Sequence, residues 1–252
     1  MIAVRQIARL VVLSCLLVGC ATRGTTDPTL ADVISAHTRA RGGHEAIERV
    51  RSVEIALGIT ESTYTVDALY RATRDRRMRI DVYSDQRRVY TEAFDGEHAW
   101  QQGAADVHGS PGTAAGAAAL LRGIEGPGNL VGLHEAAAHG VSLTALPRET
   151  LDGLDYDVIR ARFRDGFETF YYLNARNHLL ERQRDFRALH PDMDPKQAWI
   201  EQRYSDFRPV EGRLVSFEEK QVDLKTGAVL QTSIVHSVRV NPVFSAEEFI
   251  AP

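Results

Sequence analysis

The feature that most constrains the fold is a series of short segments in which apolar and polar residues alternate. The first four cover residues 53–59, 64–70, 78–82 and 90–94. Such alternation indicates β-strands that have one buried face. The segments follow one another at roughly ten-residue intervals with turn residues between them, which leaves no room for crossover helices. These strands must therefore pair antiparallel.

Further segments with strand character fill the second half of the chain. They cover residues 141–145, 156–163, 167–173, 179–186, 198–207, 213–224 and 229–240. The last two are joined by Lys225-Thr226-Gly227, which is a hairpin turn signal. We expect about ten to eleven strands in a single antiparallel sheet. Because no linker of domain-boundary character interrupts residues 29–252, we interpret that range as one domain.

Helical spacing occurs before the first strand, over residues 30–50. Arg41-Gly42-Gly43 interrupts it and predicts a break between two helices. Thr29 or Asp27 could cap the first of them. The sequence thus predicts an N-terminal helix pair.

A second apolar and weakly helical stretch, residues 113–139, interrupts the strand pattern, and we call it the cover. It contains an Ala-rich helix, a turn over residues 125–129 and a second short apolar helix. Its glycines each weaken a helix by ~1 kcal/mol relative to alanine. We expect a movable cover over the sheet, which makes the fold class α+β.

The N-terminus has the pattern of an export signal. Arg5 and Arg9 precede an apolar stretch over residues 10–19. Such a stretch spans about 15 Å as a helix, roughly half of a bilayer core, and therefore predicts a signal peptide over residues 1–19. The stretch ends in Leu17-Val18-Gly19-Cys20, which resembles a bacterial lipobox.

The lipobox resemblance implies cleavage before Cys20 and attachment of diacylglycerol to its sulfur. Residues 20–28 would then be a tether that holds the domain close to the membrane. Ala21 in place of an aspartate implies delivery to the outer membrane, on its periplasmic face. The alternative is an ordinary secretory signal that is cut near Ala21, with Cys20 incidental.

Cysteine content and charge exclude several functions. Cys15 and Cys20 are the two cysteines of the chain, so a processed and acylated protein has no free thiol for catalysis, metal binding or disulfides. The apolar and charged fractions, 44% and 25%, are those of a folded soluble domain. A net charge of −4 gives no general attraction to nucleic acid.

No residue pattern predicts catalysis or a bound ion. His134 and His139 are five residues apart, which places them ~140° apart on a helix and not on one face. Nucleophile elbows and phosphate-binding glycine loops do not occur in the sequence. We predict no catalytic residues, no metal and no cofactor, and hence a protein that is not an enzyme.

The body of the chain resembles a known family. A lipobox is followed by a helix that ends in Arg41-Gly-Gly-His-Glu45, then by long strands, by Phe94-Asp-Gly-Glu-His-Ala-Trp100 and by the cover. This order is similar to that of the Lol-type superfamily of periplasmic lipoprotein carriers and outer-membrane lipoprotein receptors. The resemblance implies an open, strongly curved half-barrel that binds acyl chains under helices. The receptor's protruding apolar loop has no residue-by-residue match here.

A groove for acyl chains would be lined by large apolar side chains of alternating strand positions and of the cover. The candidate residues are Ile55, Leu57, Tyr64, Val66, Tyr70, Ile80, Trp100, Leu120, Leu121, Ile124, Leu130, Leu133, Tyr171 and Trp199. The alternative is that these side chains fill a packed core.

The sequence therefore predicts a lipid-anchored envelope protein that binds a lipid or the acyl chains of a lipoprotein without covalent chemistry. Two alternatives stay open. One is an assembly or scaffold lipoprotein that has a filled core and an unknown envelope partner. The other is an uncharacterised envelope hydrolase.

Overall fold

The computed structural model describes residues 28–252. The predicted signal peptide over residues 1–19, the predicted lipid attachment at Cys20 and the tether up to residue 27 lie outside the described residues. None of the helices between residues 28 and 252 is long and apolar enough to cross a membrane.

Three α-helices form, two of them before the first strand as the spacing predicts. They are α1 (Leu30–Ala40), α2 (His44–Glu48) and α3 (Ala114–Glu125). Thr29 caps α1 by accepting a hydrogen bond from the Asp32 amide, and the Asp32 side chain accepts one from the Thr29 amide in return. Thr113 caps α3 by accepting from the Gly116 amide. The Ala-rich part of the cover is therefore a helix.

The second short helix that we predicted for the cover is reduced to a 3₁₀ helix of three residues. Only one short 3₁₀ helix, Leu133–Glu135, forms there, and a further 3₁₀ helix, Ala246–Phe249, lies near the C-terminus. Gly128 and Gly132 flank the apolar residues of this segment. Glycine lowers helix stability, so the chain after α3 adopts turns that pack on the sheet.

Thirteen strands form one antiparallel sheet. They are β1 (Ser52–Glu61), β2 (Thr65–Thr73), β3 (Met78–Ser84), β4 (Arg87–Phe94), β5 (Ala99–Gly103), β6 (Ser110–Pro111), β7 (Ser142–Leu151), β8 (Leu154–Arg162), β9 (Glu168–Asn174), β10 (Leu180–His190), β11 (Asp194–Val210), β12 (Arg213–Asp223) and β13 (Val229–Val240). The sheet is open and curved.

The number of strands exceeds the predicted ten to eleven. The additional strands are β5, of five residues, and β6, of two residues. β6 is too short to show period-two alternation, and the sequence of β5, Ala-Trp-Gln-Gln-Gly, does not alternate apolar with polar residues. They extend the sheet by pairing with β4 and with each other.

The strand order explains why a cover exists at all. The order is β6-β5-β4-β3-β2-β1-β13-β12-β11-β10-β9-β8-β7, so β1 pairs with β13 in the middle and β6 and β7 form opposite edges. The chain between β6 and β7 has to cross the whole sheet. That connection contains α3 and the Leu133–Glu135 turn. The cover is thus imposed by the topology of the sheet.

The covered face carries two apolar clusters. One contains Ile55, Met78 and Phe94 of the first strands, packed beneath Ile124 and Leu130 of the cover. The other contains apolar residues of β8 and β9 beneath α1 and the 3₁₀ turn; they are Ile159, Ala161, Tyr171 and Leu173, with Val33 and Leu133 above them. Each half of the sheet is therefore closed by a different part of the helical layer.

Candidate ligand groove

A groove of about 870 Å³ lies on the covered face between the cover and strands β9–β12. Its cover side is formed by α3 and by the turn that follows it, from Gly126 to Leu130. A cavity of this size is within the range of small-molecule and lipid sites. The groove is thus where the sheet and its cover do not pack directly against each other.

The wall formed by the cover consists mostly of small and apolar side chains, with Arg122, which pairs with Asp165, as its charged member. Ala115, Ala118 and Ala119 of α3 face the groove, followed by Ile124 and Leu130. Because alanine side chains are small, the helix lies over the sheet without filling the space below it. The apolar lining on the side of the sheet comes from Phe163, Phe167, Tyr171, Leu180 and Val215.

Polar side chains form the opposite wall, which we call the polar floor: Gln183, Gln202, Tyr204, Glu219 and Gln221. These residues bond to one another or to neighbours on the same face. Gln202 Nε2 donates to Glu219 Oε2 at 2.8 Å, and the Tyr204 hydroxyl donates to Gln183 Oε1 at 3.1 Å. A ligand in this groove therefore meets mostly apolar groups on the side of the cover, and amide, phenol and carboxyl groups beside apolar ones on the side of the sheet.

A charged pair extends the polar floor at its edge. Arg187 Nε donates to Asp185 Oδ1 at 2.7 Å, and Arg187 Nη2 donates to Gln221 Oε1 at 2.6 Å. The Asp185 carboxylate, which is 2% exposed, also accepts from Thr169 Oγ1 and from Gln183 Nε2. Buried polar groups are satisfied in this way, and the polar floor is held in one arrangement.

Burial changes the acidity of several groups that line the groove. It raises the pKa of Glu219 against the opposing effect of the Gln202 hydrogen bond, and it raises the pKa of Tyr70 to about 12. Burial also lowers the pKa of His37 to about 4, while His37 Nδ1 lies 2.8 Å from the His178 carbonyl oxygen. Tyr70 and His37 are therefore neutral at pH 7, and the low polarity of their surroundings suits an uncharged ligand segment.

Two arginines, Arg41, which is half-buried, and Arg213, which is buried, hold the turn of the cover. Arg41 Nη1 donates to the Gly128 carbonyl oxygen at 2.9 Å, and Arg213 Nη1 donates to the Asn129 carbonyl oxygen at 2.6 Å. Burial lowers the pKa of each arginine to about 10, and the charge of Arg213 adds to the effect on Arg41. Both remain cationic at pH 7. The Arg41 side chain lines the groove, which gives one end of it a positive charge.

The structure brings four of the predicted groove residues to the groove itself: Tyr70, Ile124, Leu130 and Tyr171. Others lie beside it in the apolar cluster beneath α3, namely Ile55, Leu57, Ile80, Leu120 and Leu121. Leu133 belongs to the second cluster, and Val66 shares the covered face through its register opposite Ile59.

The structure places the remaining three predicted residues away from the groove. Trp100 is buried on the opposite face, where its Nε1 donates to the Phe249 carbonyl oxygen at 2.7 Å. Trp199 is 48% exposed and packs against Phe170 and Phe186, also on the opposite face. Tyr64 lies in the turn between β1 and β2 and is 41% exposed.

Sequence reasoning missed the polar floor. Gln202 and Tyr204 on β11, and Glu219 and Gln221 on β12, are spaced by two residues and so share one face of the sheet. The available signal was this alternation of polar side chains in the second half of the chain. Apolarity favours Trp199 as a lining residue, but Trp199 lies on the face of β11 opposite to Gln202 and Tyr204.

Known proteins match this chain in structure but not in sequence. No protein-family model matches the chain, and no curated protein matches it either. Three solved structures share its architecture over nearly their whole length. A LolA superfamily protein from Nitrosomonas europaea is 11% identical and has a TM-score of 0.57, with 88% of this chain and 98% of that chain covered.

The other two structures give similar values. A DUF1329 family protein from Desulfovibrio piger is 10% identical, with a TM-score of 0.55 and coverage of 89% of this chain and 98% of that chain. A domain from Vibrio parahaemolyticus described as an outer membrane lipoprotein-sorting protein is 9% identical, with a TM-score of 0.53 and coverage of 86% and 95%. The resemblance predicted from the sequence is confirmed at the level of structure: the chain has the fold of the Lol-type superfamily.

Proposed function

We propose that this protein binds an acylated, amphipathic ligand non-covalently in the groove between its cover and its sheet. The observation that carries the proposal is the division of the groove into an apolar cover wall and a polar floor. An acyl chain fits against Ala118, Ile124 and Leu130, while a polar headgroup fits the amide and carboxyl groups below. Lipids and the acylated N-termini of lipoproteins both have this chemistry.

The energetics of such a site require no catalytic residue. Each CH₂ group withdrawn from water contributes ~0.8 kcal/mol, so an acyl chain supplies the main driving force for binding. Amide and hydroxyl groups of the polar floor orient the ligand, because its polar headgroup is costly to bury unless it forms hydrogen bonds with them. The proposed role is therefore binding or transfer of the ligand, and not its chemical conversion.

The lipobox resemblance supports a location for this binding. Diacylglycerol on Cys20 would anchor the protein, and residues 20–28 would keep the groove close to the periplasmic face of the outer membrane. The ligand would then be taken from, or delivered to, an adjacent bilayer. Three structural neighbours with the same fold, one described as a lipoprotein-sorting domain, are consistent with such a role.

Mass spectrometry of the full-length protein, purified in mild detergent, tests the proposal. The spectrum under native conditions should contain an additional lipid mass that disappears on denaturation, whereas diacylglycerol on Cys20 should remain in both spectra. Native and denatured masses that agree in every preparation would contradict the binding proposal and favour the scaffold role. Loss of the acyl mass on Cys20→Ser would confirm the anchor separately.

A further inference from the structure

A cluster of two histidines and one glutamate lies outside the groove, where the cover meets the N-terminal helix pair. His44 and Glu48 are four residues apart on α2, so both side chains project from the same side of that helix. His134 reaches them from the 3₁₀ turn of the cover. One ligand atom from each of the three residues lies within 4.8 Å of the others.

The distances suit a small divalent cation. His134 Nε2 lies 3.3 Å from Glu48 Oε1, and His44 Nδ1 lies 3.8 Å from the same oxygen. Donor atoms on a tetrahedral ion at bond lengths of ~2.0–2.1 Å are about 3.3 Å apart. The three donors lie within 4.8 Å of one another, and the two that would have to approach further, on His44 and Glu48, belong to exposed side chains.

The state of His134 is an independent sign that a ligand is involved. Its side chain is 10% exposed, and Nε2 is buried without a hydrogen-bond partner although it lies 3.3 Å from Glu48 Oε1. The other ring nitrogen, Nδ1, lies 3.3 Å from Thr38 Oγ1. Histidine ligands of metals have this arrangement, in which one nitrogen is oriented by a hydrogen bond and the other is left for the ion.

The surroundings of His134 hold the imidazole ring in place. A Cβ atom at Gly132 would collide with the ring, so glycine allows the ring to lie against the backbone. Glu135 is nearby, but its carboxylate is already bound by Arg74 Nη1 at 2.6 Å and by the Gly132 amide at 2.7 Å. Glu135 is therefore a supporting residue, and the donor set is two imidazoles and one carboxylate.

We propose that His44, Glu48 and His134 bind one Zn²⁺ ion and that the ion fastens the cover to α2. Two nitrogen donors and one oxygen donor are typical of zinc, whereas Ca²⁺ and Mg²⁺ require more oxygen ligands. His44 and Glu48 are exposed, which gives the ion access from solvent and leaves a fourth position for water. The site does not depend on the proposed lipid binding, since none of its three residues lines the groove.

Titration of the metal-free full-length protein with ZnCl₂ in a calorimeter tests the site. The wild type should bind one equivalent, and His44→Ala and Glu48→Gln should each weaken binding by roughly tenfold or more. Both side chains are exposed, so these variants should keep the thermal stability of the metal-free protein. The matched control is His98→Ala, which removes an exposed histidine from the turn between β4 and β5 and should bind zinc like the wild type.

Two further measurements separate this site from adventitious binding. Co²⁺ bound in place of Zn²⁺ should give the visible absorption of a four-coordinate site in the wild type and lose it in His44→Ala. Zinc should also slow amide exchange over residues 130–136 in the wild type but not in that variant. Absence of saturable binding, or equal binding by wild type and both ligand variants, would overturn the site; binding without slower exchange would overturn the fastening role.

Discussion

Arg213, at the start of β12, donates a hydrogen bond to the carbonyl oxygen of Asn129 in the cover, with 2.6 Å between Nη1 and the oxygen. The two residues are 84 positions apart in the sequence. Arg213 is 1% exposed, and its Nε and Nη2 atoms are buried without hydrogen-bond partners. A buried cation therefore holds the turn of the cover to the sheet at the cost of unsatisfied donors.

Replacing Arg213 by Met should loosen the cover with little effect on overall stability. The variant loses the bond to Asn129, but it also removes a buried charge and its unsatisfied donors, and these effects oppose each other. We expect the free energy of unfolding to change by less than about 1.5 kcal/mol. Amide exchange at Gly128, whose amide bonds to the Val131 carbonyl, should accelerate. The measurements are chemical denaturation and hydrogen exchange.

The control for this prediction is Arg208→Met, because Arg208 is exposed and its side chain donates hydrogen bonds to Asp206 and not to the turn of the cover. Its exchange rates over residues 126–131 should equal those of the wild type. If Arg213→Met unfolds the whole sheet, or leaves these exchange rates unchanged, the arginine does not hold the cover in the way that its contacts indicate.

The double variant Leu121→Asp and Leu133→Asp should abolish bound cargo without unfolding the sheet. Leu133 is 3% exposed and Leu121 packs against the apolar cluster of the first strands, so a carboxylate at either position is costly to bury and detaches the cover. Native mass spectrometry should show no lipid, while far-ultraviolet circular dichroism retains its β-sheet signal. Val107→Asp is the control, since Val107 is 78% exposed in a loop and should keep its cargo. Full cargo in the double variant would refute the assignment of the cover as a wall of the binding site.

Glu92 predicts a dependence of stability on pH. Burial, with a smaller contribution from Asp192, raises the pKa of Glu92 from 4.5 to about 7. The folded protein then binds the proton more tightly than the unfolded chain, so Glu92 reduces stability progressively as the pH rises from about 4.5 to about 7. Glu92→Gln removes this loss because its side chain is neutral at every pH.

The melting temperature of Glu92→Gln relative to the wild type should therefore rise between pH 5 and pH 8. The rise of the Glu92 pKa from 4.5 to about 7 corresponds to roughly 3 kcal/mol of folding free energy at most. Glu97→Gln is the control, because Glu97 is exposed in the turn before β5 and its replacement should give the same difference at both pH values. A constant difference for Glu92→Gln would show that Glu92 is ionised in the folded protein at pH 5.

Local sequence patterns predict the strands in which apolar and polar residues alternate. They do not predict contacts between distant parts of the chain. Residues 53–59 and the Lys225-Thr226-Gly227 turn were sufficient to predict β1 and the last hairpin. The pairing of β1 with β13, which makes the cover cross the sheet, joins residues 170 to 187 positions apart and leaves no local signal.

The same limit applies to the candidate sites. Trp100 and Tyr171 look alike as large apolar strand residues, yet one faces the C-terminal segment and the other the groove. A shift of one residue in strand phase moves a side chain to the other face, and composition does not determine that phase. His44 and His134 are 90 positions apart and meet only because the topology lays the cover on α2.

Titration with a fluorescent fatty acid tests the central claim most directly, with a variant that fills the groove. Ala118 lines the groove on the cover side, and Ala118→Trp should fill the space that an acyl chain occupies. Ala138→Trp, at an exposed position of the same cover, is the matched control. We predict saturable binding by the wild type and the control, and binding weakened roughly tenfold or more by Ala118→Trp, which is ~1.4 kcal/mol or more in binding free energy. No binding by the wild type, or equal affinity in all three proteins, would contradict a ligand site between the cover and the sheet.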